Sequence, residues 1–265
     1  MPLLDLYLFT LSKSTTPQSF IQHLKQTPNL QIIVASRPRH AVIHPNILDS
    51  DTLDKTPWDL LLLLQNNDPK IPNPIDHLSH YITNSYKITT GIPSKLLSTY
   101  SARSTKLHSE ASSIPLTGSL DKLLDSGTPD TSQNLEVSPS LLEFMVELEK
   151  THQGPVTMLN LLHFHPDGKK SYYQYGQAFI PVAGKRGGSA KLVGNVVPGQ
   201  GSREKKDWWD EISIVHYPSI RHFCDMLAGE DYQAINEKYR LSALRDTFLL
   251  CTTEFDSEGF GSSKL

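Results

Sequence analysis

Apolar positions divide the chain into two stretches of strand and helix patterning separated by a polar interval. Residues 3–11 are apolar with aromatics and stop at Ser-Lys-Ser-Thr, the limits expected of a buried strand. Thr16-Pro17 then opens a helix with Phe20, Ile21 and Leu24 on one face, because Thr can cap and Pro suits a first turn. Residues 31–34 and 40–43 are β-branched runs interrupted by Arg37-Pro38, which predicts one long, bent or bulged strand ending at Pro45. After a polar loop, 58–65 predicts a third strand. A Pro-rich turn at 71–74 leads to a short helix near 75–81, a strand near 86–91 and a helix from Pro93 to about Arg103. The order β-α-β-β-α-β is that of a ferredoxin-like unit, an antiparallel sheet with both helices on one face.

Residues 104–137 shift to Ser, Thr, Gly, Asp and Pro with little periodicity and read as a linker, with one short helix around 120–124. Such a segment buries too little apolar area to offset its ordering entropy, so limited proteolysis is expected to cut there first. Ser138-Pro139 then opens a helix with Leu141, Leu142, Met145 and Leu148 on one stripe. The pattern that follows repeats the first half: strand 156–164, helix 171–186, strands 189–197 and 209–217, helices 218–229 and 231–244, and a closing strand 247–255. Trp58-Asp59 and Trp209-Asp210 precede matching strands. The expectation is an α+β protein of two tandem ferredoxin-like units, 1–103 and 138–258, with a tail at 259–265. A single unit leaves one sheet face bare, so the units are expected to pack sheet to sheet as an intramolecular dimeric α+β barrel.

Composition narrows the function classes. Twenty-five Lys and Arg against 28 Asp and Glu give a net charge of -3, which offers no footprint for a phosphate backbone, so nucleic acid is not an expected partner. The longest aliphatic run, 60–64, is far short of the roughly 20 residues of a spanning helix. The amino terminus has no basic n-region and carries Asp5 within its apolar stretch, and the chain has two cysteines and no Asn-x-Ser/Thr; a reduced, cytoplasmic setting is expected. Phosphate loops and a Gly-x-Ser-x-Gly elbow do not occur, which disfavours nucleotide use and serine hydrolysis.

The stretch Gly154-Pro-Val-Thr-Met-Leu-Asn-Leu-Leu-His-Phe, then Tyr172 and Tyr175, Gly187-Gly188, Trp209-Asp-Glu-Ile-Ser-Ile-Val-His-Tyr-Pro-Ser, Glu230-Asp-Tyr-Gln-Ala-Ile and residues 240–244 resemble, in that order, the DUF1330 family. That family belongs to the dimeric α+β barrel superfamily. Residues 1–110 resemble, more loosely, the amino-terminal part of two-domain fungal proteins. The resemblance implies a pocket between the sheet and its helices, of the kind relatives use for cofactor-free oxygenation of phenols, polyketide cyclisation, lactone isomerisation or haem binding. Fold analogy does not choose among these.

Alternation places Val156, Met158, Asn160, Leu162 and Phe164 on one strand face, with Asn160 the polar exception that can orient a substrate carbonyl or tie down a loop. Tyr172 and Tyr175 share a helix face, as core residues or as donors to an enol or phenolate. On 209–217, one face carries Glu211, Ser213, Val215 and Tyr217 and the other Asp210, Ile212, Ile214 and His216. An enclosed His216 would suit proton transfer; Glu211 is a base or orienter, or pairs with an arginine such as Arg240. Tyr232 and Arg240 match the family's helix motif and are expected to bind substrate, or else to pack and to form a salt bridge. His163 and His165 could chelate a metal only with a third ligand, and no metal is expected. Lys185-Arg186 and residues 203–206 read as solvated surface. The resulting expectation is an enzyme acting on an aromatic or polyketide-like small molecule by acid/base chemistry without a bound cofactor, as a monomeric pseudo-dimer or a homodimer. The alternative is a ligand-binding or interaction protein without turnover.

Overall fold

Five consecutive leucines, Leu60 to Leu64, are all buried because their strand is covered on both sides. Leu60, Leu62 and Leu64 pack with Phe20, Ile21 and Leu24 of helix α1 (Pro17–Leu24), whereas Leu61 and Leu63 face a second cluster that holds Leu4, Leu6, Leu8, Leu159, Leu161, Ile212, Ile214, Phe248 and Leu250. Strands from both halves of the chain therefore share one interior. The computed structural model describes residues 1–68, 73–198 and 207–255.

The eight strands are β1 (Leu3–Leu11), β2 (Leu30–Ile43), β3 (Leu60–Asn66), β4 (Ile82–Gly91), β5 (Val156–Phe164), β6 (Ser189–Val196), β7 (Glu211–Tyr217) and β8 (Leu244–Glu254). They close into one antiparallel barrel in the order β1-β3-β2-β8-β5-β7-β6-β4. The first four run β4-β1-β3-β2 and the last four β8-β5-β7-β6, the same order twice. The protein is thus an intramolecular α+β barrel of two ferredoxin-like sheets. The expected sheet-to-sheet stacking takes a different form: the sheets join edge to edge, along β2–β8 and β4–β6, so that closure leaves no open edge. The β4–β6 seam is short, pairing Thr90 with Val196 and Gly91 with Asn195. Gly194 makes it possible, since a Cβ there would stand 2.3 Å from Thr90 Oγ1.

The repeated Trp-Asp pair has one structural meaning. The Asp59 amide donates to Phe9 O and its carboxylate accepts from Leu11 N; the Asp210 amide donates to Leu162 O and its carboxylate accepts from Phe164 N. In each half the aspartate ties down the end of the first strand, where the ladder runs out of partners.

Around the second half lie α5 (Pro139–Glu149), α6 (Gly168–Gly184), α7 (Ile220–Leu227) and α8 (Glu230–Ile235). Ser138 caps α5 by accepting from Leu141 N, and Gly187, at φ 71, ends α6 as glycine after a helix commonly does. Between the halves, α3 (Ser94–Glu110) is a turn or two longer than the patterning predicts, and α4 (Ser119–Ser126) sends Leu120 into the core with Leu135 and Val137. Much of 104–137 is therefore anchored. A short helix α2 (Ser50–Lys55) occupies the expected polar loop, and 76–81 is a 3-10 turn. The expected helix 231–244 stops at Arg240, which frees Leu244 to begin β8. Residues 71 and 72 of the Pro-rich turn, Gly199 to Gly201, the basic residues 203–206 and the tail lie outside the described residues.

Candidate functional site

The face of β5, β7 and β8 that turns away from the barrel interior is graded along its length. Strand pairing sets Glu211, Leu162 and Thr247 in one row, Ser213, Asn160 and Leu249 in the next, and Val215, Met158 and Cys251 in the third. One end is polar and the other apolar. Helix α6 and α8 lie over this face, and α8 continues as a wider π turn, Asn236–Arg240, closed by a Leu241 N–H to Asn236 O bond. A cavity of about 470 Å³ remains between sheet and helices. Asn160, Tyr172, Tyr175, Glu211, Tyr232 and Arg240 all line it, as do Lys169, Ser213, Val215, Tyr217, Phe179 and Phe223. Six of the seven site residues expected from sequence are brought to one place.

Their local chemistry differs. Asn160 Nδ2 donates to Met158 O at 3.3 Å, leaving its carbonyl oxygen for the cavity. The Tyr175 and Tyr232 hydroxyls share a 3.1 Å hydrogen bond, and the Tyr172 ring sits 5.2 Å from that of Tyr175. Burial pushes all three phenols up, so they remain neutral hydrogen-bonding groups. Burial also raises the Glu211 carboxyl, against the opposing pull of Lys169 at 3.8 Å. The expected Glu211–Arg240 pair is not formed: Glu211 turns to Lys169 at the cavity mouth, and Arg240 takes no carboxylate partner among the described residues.

His216 stands elsewhere. Five positions, an odd number, separate it from Glu211, so alternation sets the two on opposite faces; the Ile212–Ile214–His216 face looks into the barrel, where His216 is 0% exposed and neither ring nitrogen has a partner among the described residues. Its neighbour is His108 of α3, with ring centroids 5.7 Å apart, at a barrel end that also holds Lys191, Glu254 and Tyr100. Burial, followed by the Lys191 and His108 charges, lowers its imidazole to about 3, so the ring is uncharged near neutrality. His163 and His165 do not converge either. The strand ends at Phe164, leaving His165 exposed, while buried His163 bonds Asp210 at 3.0 Å. Among the described residues no three His, Cys, Asp or Glu side chains group as a metal site needs. Arg186, expected on the surface, is buried and reaches Asp231 at 3.0 Å and Asp225 at 3.6 Å; only Lys185 is solvated.

Sequence reasoning placed Ser213 on this face without singling it out as a site residue, and it did not name Lys169 of α6 or Thr247 of β8. Ser213 was legible, since it alternates with Glu211 and Val215; Lys169 and Thr247 carry no local signal. Among the described residues no helix is long and apolar enough to cross a membrane.

No family model matches the chain, and no curated protein matches it. Among solved structures, it is similar to a protein of unknown function from Rhodopseudomonas palustris at 25% identity, covering 44% of this chain and 93% of that one, with a TM-score of 0.37. It is also similar to a candidate monooxygenase from Lactobacillus acidophilus at 8% identity, 96% and 93% coverage and a TM-score of 0.47. An anthrone oxidase-like protein matches at 9% identity, 96% and 91% coverage and a TM-score of 0.42.

Proposed function

We propose that the chain is a small-molecule enzyme of the DUF1330 type whose substrate, an aromatic or polyketide-like compound, lies in the cavity between β5, β7, α6 and α8 and is transformed by proton transfer. What supports this is the grading of the cavity: an apolar end of Met158, Val215, Tyr217 and Phe223 suits a ring system, and a polar end of Glu211, Ser213 and Asn160 suits its oxygens. Glu211 is the base. Its raised carboxyl is a stronger proton acceptor than a solvated one, and it faces the cavity at 14% side-chain exposure. It takes a proton from carbon or from a phenol; the electron pair released moves onto the substrate oxygen, where the Tyr175–Tyr232 hydroxyl pair donates to it. Return of the proton from Glu211 to another carbon completes an isomerisation; in a ring closure the enolate carbon attacks a second carbonyl of the substrate, whose π pair moves to its oxygen and takes the proton from Glu211. His216 takes no part, because it lies inside the barrel.

The occupancy half of this reading is testable with 2-naphthol as probe. Wild-type protein is expected to show a concentration-dependent rise in melting temperature, Val215→Trp, which fills the apolar end, to lose it, and His216→Leu to keep it. A ligand shift that persists in Val215→Trp and vanishes in His216→Leu would place the site in the barrel end instead.

A further inference from the structure

Three cationic side chains are buried among the described residues: Arg186, Lys191 and Arg240. Two are neutralised on the spot. Lys191 Nζ donates to both Glu254 oxygens at 2.6 and 2.8 Å, and Arg186 is held by Asp231 and Asp225. Arg240 is 2% exposed, and among the described residues it pairs with no carboxylate and its Nη2 has no hydrogen-bond partner. An unpaired buried charge is among the most unfavourable arrangements a fold can hold, and a fold that keeps one is poised for a counter-charge from outside.

Arg240 also occupies a special place. Besides the 470 Å³ cavity it lines a second one of about 200 Å³, between the start of β8 and the loop around 133–134. This smaller chamber is walled by Arg245 and by Thr247, whose buried Oγ1 likewise lacks a partner among the described residues. Its only carboxylate among the described residues, Asp246, is occupied with backbone amides of Asn46, Ile47 and Leu48. The larger cavity adds Lys169, which lies beside the single acid Glu211, and at its other end Arg103, which donates to Ser189 and Ala190.

We propose that the ligand is an organic monoacid, its apolar body in the larger cavity and its carboxylate on the Arg240 guanidinium at the wall between the two chambers. The charge count favours one carboxylate over a phosphate, since Arg240 is the one buried guanidinium left unbalanced among the described residues, while Arg245 is exposed to solvent. Thr247 Oγ1 donates to the second carboxylate oxygen. The inference rests on the cavity being the ligand site and names the class of compound that enters it.

Isothermal titration with 2-naphthoate and with 2-acetonaphthone, the same ring bearing a methyl ketone, separates the two readings. Wild-type protein is expected to bind the acid about tenfold tighter or more, the scale of a hydrogen bond to a charged group. Arg240→Met should erase that preference, and should raise the melting temperature of the ligand-free protein by removing an unpaired buried charge. Equal binding of acid and ketone by the wild type would overturn the carboxylate assignment while leaving the cavity reading standing. A preference that survives in folded Arg240→Met would move the carboxylate off Arg240 and overturn it equally. Binding of neither probe would overturn the cavity reading and the inference with it.

Discussion

Glu254→Gln is expected to destabilise the protein by about 3–5 kcal/mol, the scale seen when one partner of a buried ion pair is removed. Lys191, fully buried, would be left without a counter-charge at the barrel end that α3 covers. Restoring neutrality with Lys191→Met in the same chain should recover much of the loss, as a double-mutant cycle in urea would show. The same end makes the fold acid-sensitive. Burial alone would raise the Glu254 carboxyl, but Lys191 outweighs it, with help from His108 at 3.7 Å, a distance of charge attraction rather than of a hydrogen bond, and holds it at about 2. Its folded value is depressed, so its contribution is complete above about pH 4.5 and is lost as pH falls toward 2. His216 acts in the same direction from higher pH: neutral when folded and protonated at about 6.5 when unfolded, it removes stability between pH 6.5 and 3 at up to about 1.4 kcal/mol per unit. The groups facing it are His108, Lys191, Glu254 and Arg103, and none supplies a partner to either ring nitrogen. His216→Leu should therefore leave stability at pH 7 nearly unchanged and flatten the decline between pH 6.5 and 4.5. A decline of unaltered slope would show that other groups carry it.

Glu211→Gln should lower catalysed proton exchange by about a hundredfold or more, the scale of a positioned general base. The carbon acid 2-tetralone provides a readout without knowledge of the natural substrate: its α-protons exchange with deuterium in D2O, and proton NMR follows their loss. Wild-type protein is expected to accelerate this exchange above buffer, and Asn160→Ala and Tyr175→Phe to reduce it by smaller factors, since they hold the oxygen rather than move the proton. His216→Leu should match the wild type. Equal rates with Glu211→Gln would remove Glu211 as base, and no acceleration by any variant would favour a binding protein without turnover.

How much of this was legible from residues alone can be seen strand by strand. Strand β5 runs from Val156 to Phe164, as its mainly apolar run predicts, and the doubled element order foretold the doubled sheet. Joining edge to edge was not legible, because backbone pairing leaves no composition signal beyond a small residue such as Gly194. Site residues fell together where a strand face and a helix face each carried their own polar exception, as with Asn160, Glu211 and Tyr175. His216 was misjudged although alternation alone separates it from Glu211; the neighbours Ile212 and Ile214 mark its face as the barrel's. The missing partner of Arg240 is a property of three-dimensional surroundings, and nothing in the motif around it distinguishes a salt-bridged arginine from a lone one. Likewise, Arg186 in Lys-Arg-Gly-Gly looks solvated until Asp225 and Asp231 arrive from α7 and α8.

The central claim is that the cavity outside the barrel, under α6 and α8, receives the ligand. A crystal structure of the protein soaked with 2-naphthoate tests it most directly. The ring is expected between Met158, Val215 and Phe223, with the carboxylate toward Arg240. Density for the ring at the barrel end beside His216 and Lys191, or a filled cavity with the ring bound on the outer surface, would contradict it.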